Sequence, residues 1–453
     1  MSFPRYPKYK DSEVEWLGEV PEDWSVMRLK RACDVFPSNV DKKAYDDEIA
    51  VALCNYTDVY YNEKITPGMN FMQATATRDQ IAKFTLKAGD TIITKDSETA
   101  DDIAVAAYVA QDMPGVVCGY HLSMVRPKAG TCGAFVARLF HCGYASAMFE
   151  VLANGLTRVG LGQYELDNIE LPFAPIDEQT AIAAFLDRET AKIDALVAEQ
   201  RRLIELLKEK RQAVISHAVT KGLNPDAAMK PSGIEWLGEV PEHWSVAAVR
   251  FRYTVQLGKM LDTEKITGEH LRPYLRVFDV QWREINVDDL PQMDFDPTVR
   301  ERFRLATGDL LINEGGSYPG RSAIWQGQLE ECYFQKALHR LRPRDPVTDT
   351  TRFFYYIMAW ATTHGVFTAG GNESTIEHLP AEKFRKYRFA FPPMREQLAI
   401  SEFLDHALGG FDTLTTEAHR AISLLQERRT ALISAAVTGK IDVRGLSNGA
   451  GCA

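Results

Sequence analysis

The amino-acid sequence predicts an α/β (α+β) protein: two domains of mixed fold in a pseudo-two-fold arrangement, each followed by a long helix. Three observations carry that expectation. A frame is written twice along the chain, short β-like runs lie between the frame segments, and each half ends in apolar residues spaced by threes, fours and sevens. At 453 residues the chain is too long for one ordinary core, and its 45% apolar and 25% charged content is that of a folded protein.

The frame opens each half. Residues 15–26 read EWLGEVPEDWSV and residues 235–246 read EWLGEVPEHWSV, with Asp23 against His243 as the single difference. Trp16 maps to Trp236, an offset of 236 − 16 = 220. Trp16, Trp24, Trp236 and Trp244 belong to this frame, and packing of the frame onto its domain is the expected role, with partner docking as the alternative.

Short β-like runs follow, at residues 49–53, 91–94 and 123–126 in the first half and 274–278, 310–313 and 337–341 in the second, punctuated by Gly, Asp and Pro. Here the halves diverge almost completely. Two echoes survive: Gly89-Asp90 against Gly308-Asp309, and Arg126-Pro127 against Arg342-Pro343.

The helices begin just after a proline. Residues 175–187 (PIDEQTAIAAFLD) answer 393–405 (PMREQLAISEFLD), where 393 − 175 = 218, and residues 211–220 (RQAVISHAVT) answer 429–438 (RTALISAAVT). The expected seam is Ile182, Leu186, Ile193, Leu196, Leu203, Leu207 and Val214 in the first helix, and Ile400, Leu404, Phe411, Leu414, Ala421, Leu425 and Leu432 in the second. So narrow a stripe, repeated in one chain, predicts helices that pack on each other as a coiled coil. Asp177 and Glu178 suit the positive end of the first helix, and Gly409-Gly410 are expected to kink or interrupt the second. About 40 residues of helix span roughly 60 Å, a spacer's length.

The expected boundaries are a first domain at 1–175, a helix at 176–221, a Pro/Gly-rich linker at 222–234, a second domain at 235–392, a helix at 393–440 and a disordered tail at 441–453.

Bulk chemistry narrows the function classes. The seven cysteines are scattered, without a C-x-x-C pair, which argues against a disulfide framework or a zinc site. No apolar run is long enough to span a bilayer and no secretory signal is visible, so a cytoplasmic protein without membrane contact is expected. No phosphate loop, strand-linked G-x-G-x-x-G, H-E-x-x-H, G-x-S-x-G or Asn-Pro-Pro-aromatic motif is present, and no catalytic, cofactor or metal residue is assigned. The net charge of −10 counts against nucleic acid only in bulk, because binding depends on the local field.

The duplicated W-L-G-E-V-P-E-x-W frame, the divergent inserts and the two P-x-x-E-Q-x-x-I-x-x-F-L-D helices together resemble the specificity subunits of type I restriction–modification systems, over essentially the whole chain. The resemblance implies that each insert is a target recognition domain of mixed α/β fold and that the helices form an antiparallel spacer. It implies as partners double-stranded DNA, two modification (methyltransferase) subunits and restriction/translocase subunits. It implies further that S-adenosylmethionine, ATP and Mg belong to those partners and no cofactor to this chain, and that the complex methylates adenine N6 and cleaves DNA with ATP. On that resemblance this chain is expected to be the non-catalytic reader of a bipartite, asymmetric target.

Candidate DNA-binding residues follow from chemistry suited to phosphates and base edges. In the second insert they are Asn313 and Arg321 of a glycine-rich loop, the basic run Lys336, His339, Arg340, Arg342 and Arg344, and Asn372. Strand alternation puts Arg340, Arg342 and Arg344 on one face, either a DNA-facing stripe or a solvated edge. In the first insert they are Lys95 and Ser97 of the loop after residue 94, His121 near the place of His339, and Arg158. The alternatives are a coiled-coil scaffold without DNA readout and a self-contained DNA methyltransferase or nuclease.

Overall fold

The computed structural model describes residues 3–261, 267–315, 319–367 and 378–446, so Asn372 lies outside the described residues. The chain divides into unit 1, residues 1–201 and 419–453, and unit 2, residues 202–418. Two long helices, Ile176–Lys221 and Met394–Val437, each contribute to both. No described helix is long and apolar enough to cross a membrane.

In unit 1 the frame forms a small ribbon, with Tyr9–Asp11 antiparallel to Glu19–Pro21. Ser25–Arg28 then pairs antiparallel with Glu170–Phe173, which brings the two ends of the insert together before the first long helix starts. Within the insert, Leu122–Pro127 lies between Cys33–Pro37 and Thr91–Thr94, and Ala106–Val109 and Lys64–Ile65 continue the sheet. A second sheet orders Val116–Cys118, Ile49–Cys54 and Met72–Ala76. One apolar core, around Val51, Phe84 and Met124, belongs to the insert. The other joins the frame to both long helices through Trp24, Phe135, Leu186 and Ile433.

Unit 2 repeats this plan. Met229–Pro231 pairs with Glu239–Pro241, and Ser245–Ala248 with Arg388–Phe391. The sheets are Tyr253–Leu257, Leu338–Pro343, Leu310–Asn313, Ser322–Ile324 and, separately, Gln292–Asp294, Leu271–Leu275, Tyr333–Phe334.

The repeated letters have physical reasons. Glu178 accepts the indole N–H of the buried Trp24 at 3.0 Å, and Glu396 that of Trp244 at 3.1 Å. The next residue clamps the insert. Gln179 accepts from Cys132 N at 2.9 Å and donates to Ala174 O, while Gln397 accepts from Thr350 N at 3.0 Å and donates to Pro392 O. The two echoes are partners: Arg126 Nη2 lies 2.7 Å from the buried carboxylate of Asp90, as Arg342 Nη2 does from that of Asp309.

In each unit the long helices run antiparallel, marked by Arg429 on Asp194 in unit 1 and Arg211 on Asp412 in unit 2. Their register corrects part of the expected seam. Ile182, Leu186, Ile193, Leu207, Ile400 and Leu404 are buried, and Val214, Phe411, Leu425 and Leu432 half-buried. Leu196, Leu203 and Leu414 instead face outward at 49%, 39% and 50% exposure, and their neighbours Val197 and Ile204 turn inward. Adjacent apolar pairs (Leu196-Val197, Leu203-Ile204) let spacing alone select the wrong member, about 100° around the helix.

Other boundaries also move. The second helix runs uninterrupted through Gly409-Gly410. Part of the expected linker, Met229–Pro231, is a strand, and the run expected at 274–278 ends as a strand at Leu275 before a 3-10 turn. The first residues of the expected tail are packed: Val443 is fully buried in unit 1, and Asp442 N donates to Pro4 O at 2.8 Å. Tyr9 likewise donates to Gly439 O, so in unit 1 the frame is completed by the far end of the chain.

Candidate nucleic-acid interface

Both inserts build one site at the same place: where the strand after the Gly-Asp echo ends, beside the start of the strand leading to the Arg-Pro echo. In unit 1 Lys95 N donates to His121 O at 3.2 Å and Leu161 N to Lys95 O at 2.9 Å. In unit 2 Glu314 N donates to Ala337 O at 2.9 Å and Leu379 N to Glu314 O at 2.6 Å. The backbone platform is shared and the side chains on it are not.

In unit 1 the platform gathers all four candidates of the first insert around Asp96, a residue the sequence reading passed over. Asp96 sits 2.8 Å from His121 Nδ1 and 2.6 Å from Arg158 Nη2, because Asp96–Ser97 pairs with Val159–Gly160. His121 and Arg158 are exposed. Lys95 Nζ lies 4.3 Å over the exposed ring of Tyr120 and donates to Ser38 O. Burial lowers the pKa of Lys95 against the opposing pull of Asp96. Ser97 is buried beneath this surface, against Tyr56. An open groove of about 260 Å³ adjoins the cluster, lined by Lys42, Asn55, Tyr56, Tyr120 and His121. The groove thus brings together a lysine, an amide, the exposed ring of Tyr120 and the half-buried ring of Tyr56, the group types that phosphate contact, base-edge hydrogen bonding and stacking use.

In unit 2 the platform carries Glu314, whose pKa burial raises against the opposing Lys336 and His378. Lys336 is exposed, Asn313 is buried and donates to Val277 O, and Arg321 contacts Gln281. The remaining candidates do not join them. His339 is buried, stacked on Phe384, with Nε2 2.7 Å from Leu379 O. Burial pushes its pKa down to about 4. It lies inside the strand, whereas His121 precedes one, so the two histidines are not equivalent. Arg340 is buried and donates to Arg304 O at 2.9 Å, Arg342 holds Asp309, and Arg344 donates to Arg250 O. Burial and the neighbouring Arg342 push the pKa of Arg340 down to about 10. The three arginines therefore do not form the open stripe that alternation suggested. Sheet period tells which residues share a face and not what covers it. Besides Asp96, the reading missed Tyr120 and Glu314. Their signal lay in position: Asp96 adjoins Lys95, Tyr120 adjoins His121, and Glu314 adjoins Asn313.

Among the described residues no group of three or more His, Cys, Asp or Glu is placed to hold a metal ion.

Comparison with known proteins gives one answer. Residues 21–206 and 300–423 match the model of the type I restriction modification DNA specificity domain. A putative type I restriction enzyme MjaX specificity subunit of Methanocaldococcus jannaschii is 23% identical over 455 residues, covering 98% of this chain and 99% of the relative. The EcoKI specificity subunit of Escherichia coli K12 is 21% identical, over 72% of this chain and 68% of its own. Two solved chains share the fold. One comes from work on complex assembly and conformational transition of the type I R-M system, with TM-score 0.70, 14% identity and 92% and 98% coverage. The other is the HsdS subunit of Thermoanaerobacter tengcongensis, with TM-score 0.56, 15% identity and 93% and 98% coverage.

Proposed function

From the premise that this chain belongs to the type I restriction–modification DNA specificity family, we propose that it reads a bipartite, asymmetric DNA target, one half-site through each insert. One observation carries this reading. The same backbone platform presents Lys95, Asp96, His121 and Arg158 in unit 1, and Glu314 and Lys336 in unit 2. A scaffold indifferent to DNA has no reason to keep the platform and change every group on it. Two readers built on one plan suit half-sites in successive major grooves, about 34 Å apart on B-DNA. Local chemistry answers the objection from net charge, since His121, Arg158 and Lys336 are exposed at the platforms.

The duplicated surfaces suit two copies of one partner, which we take to be modification subunits, with restriction subunits completing the assembly. Leu196 and Leu206 of the first helix and Leu414 and Leu424 of the second are exposed at the repeat offset (414 − 196 = 218, 424 − 206 = 218), and Trp16 and its counterpart Trp236 are 57% and 37% exposed. Exposed leucine and tryptophan at repeated positions favour docking of like surfaces. Adenine-N6 methylation and ATP-dependent cleavage, with S-adenosylmethionine, ATP and Mg, then reside in the partners and not in this chain.

Methylome sequencing of a host expressing this chain with its modification partner tests the reading. The expected result is one new motif, methylated at adenine on both strands and split by a fixed gap. An intact complex that adds no motif overturns it in favour of a scaffold.

A further inference from the structure

Each unit ties its two long helices together with one Asp·Arg ion pair, and the two pairs are repeats of each other. In unit 1 Arg429 Nε lies 2.9 Å from Asp194; in unit 2 Arg211 pairs with Asp412. The repeat offset relates them (412 − 194 = 218, 429 − 211 = 218).

Each insert adds a third charge to its pair, and the two inserts do so with opposite signs. Glu63, just ahead of strand Lys64–Ile65, lies 2.6 Å from Arg429 Nη2 and 3.5 Å from Arg138. Arg283, in the tight turn where Gln281 N donates to Glu284 O, pairs with Asp412. Burial alone would raise the pKa of Glu63, yet Arg429 and Arg138 bring it below the ordinary value. Arg283 also sits at φ +67°, a left-handed conformation that non-glycine residues adopt at a cost and keep where the surroundings over-determine it. A second seat is repeated beside the first. Asp187 takes Arg138 at 2.7 Å in unit 1, and Asp405 takes Tyr356 and Arg352 in unit 2 (356 − 138 = 218).

We propose that the Asp·Arg pair of each helix pair is a two-signed socket that positions the recognition insert on the spacer, holding an acidic insert residue on its arginine or a basic one on its aspartate. Inserts of unrelated sequence then share one seat, since the socket requires a charge at the right place and not a particular charge. The inference concerns how an insert is held and stands apart from what the insert reads.

Hydrogen–deuterium exchange on the full chain tests it, read at residues 61–65 and 281–285. Glu63→Ala and Arg283→Ala should speed exchange in their own segments about fivefold, whereas the reversals Glu63→Arg and Arg283→Glu should stay within about twofold of wild type, because the other member of the pair takes over. Arg283→Lys, which keeps the charge, should exchange as wild type, and Glu63→Gln replaces Glu63→Ala should the alanine variant not fold. Reversals that exchange faster than the neutral variants mean a one-signed ion pair and overturn the proposal. No change in any variant means the inserts are held by apolar packing alone and overturns it equally.

Discussion

Arg342→Ala decides whether the basic run of the second insert serves the fold or the ligand. Asp309 is 2% exposed; it accepts Ala306 N at 2.8 Å and Arg342 Nη2 at 2.7 Å. Without the guanidinium, a buried carboxylate keeps one backbone donor. Removing one partner of a fully buried ion pair costs about 3–5 kcal/mol, but the Arg342 side chain is 37% exposed, so water screens part of the loss and about 1.5–2.5 kcal/mol remains. Arg126→Ala is the internal control. Asp90 is buried, accepts Lys87 N at 2.8 Å, and is gripped by Arg126 at 2.7 and 2.8 Å, with the arginine side chain 21% exposed, so about 2–3 kcal/mol is expected. Urea titration followed by hydrogen exchange of peptides from each unit reads the two losses separately. Each variant should destabilise its own unit. Unchanged stability of unit 2, with weaker DNA binding of the complex and a salt slope reduced by about one, would make Arg342 a phosphate contact and refute the structural assignment.

Three further outcomes are expected. His121→Ala and Arg158→Ala, tested in the complex with its modification partner, should relax discrimination at one half-site by about 1–3 kcal/mol and leave the other unchanged in competition binding; equal loss at both would place these residues outside direct readout. His339 is held neutral with a pKa of about 4, so the unfolded chain binds its proton first. Its contribution is present above the unfolded value near 6.5 and is lost as pH falls towards 4, by at most about 1.4 kcal/mol per pH unit, and His339→Phe should flatten that part of the stability profile. Gly133→Ala would place a Cβ 2.2 Å from Gly89 O, both in unit 1, and should destabilise that unit by about 1–3 kcal/mol in thermal unfolding; an unshifted transition would mean that the backbone yields.

What was legible in the sequence was what repeats. The frame and the helix starts stand out because Trp24, Glu178 and Gln179, and their counterparts Trp244, Glu396 and Gln397, have the same hydrogen bonds to make in each half. What was not legible depended on contacts distant in sequence. Val443 looks like tail until it is buried among residues of the opposite terminus, and Arg340 looks like a surface cation until Arg304 accepts from it. Leu196 and Val197 are both apolar and adjacent, so spacing does not choose between them, whereas the structure buries Val197 and exposes Leu196. Of the first insert's candidates, His121 and Arg158 lie at the surface, as polar residues flanking strands commonly do, while Ser97 is buried beneath them.

The frame's grip on the inserts explains why one part of the sequence is fixed and the other free. Gln179 and Gln397 reach the backbone N–H groups of Cys132 and Thr350, and not their side chains. Leu29 N bonds Ile169 O and Val249 N bonds Tyr387 O, again main chain to main chain, where each insert leaves and rejoins its frame. Main-chain donors and acceptors are nearly independent of residue identity, so an insert that keeps these end points can change its surface without loosening its hold. The Asp90·Arg126 and Asp309·Arg342 pairs are the exception: they are side-chain contacts inside the inserts, and they are the two echoes that survive there. Elsewhere the insert side chains diverge while the main-chain end points stay, and some of the divergent groups make contacts of their own, as Asp96 does with His121 and Arg158. On the platform the groups that differ include His121 and Arg158, both held by Asp96, in one unit and Lys336 in the other, which is the difference that the proposed reading of two unlike half-sites requires.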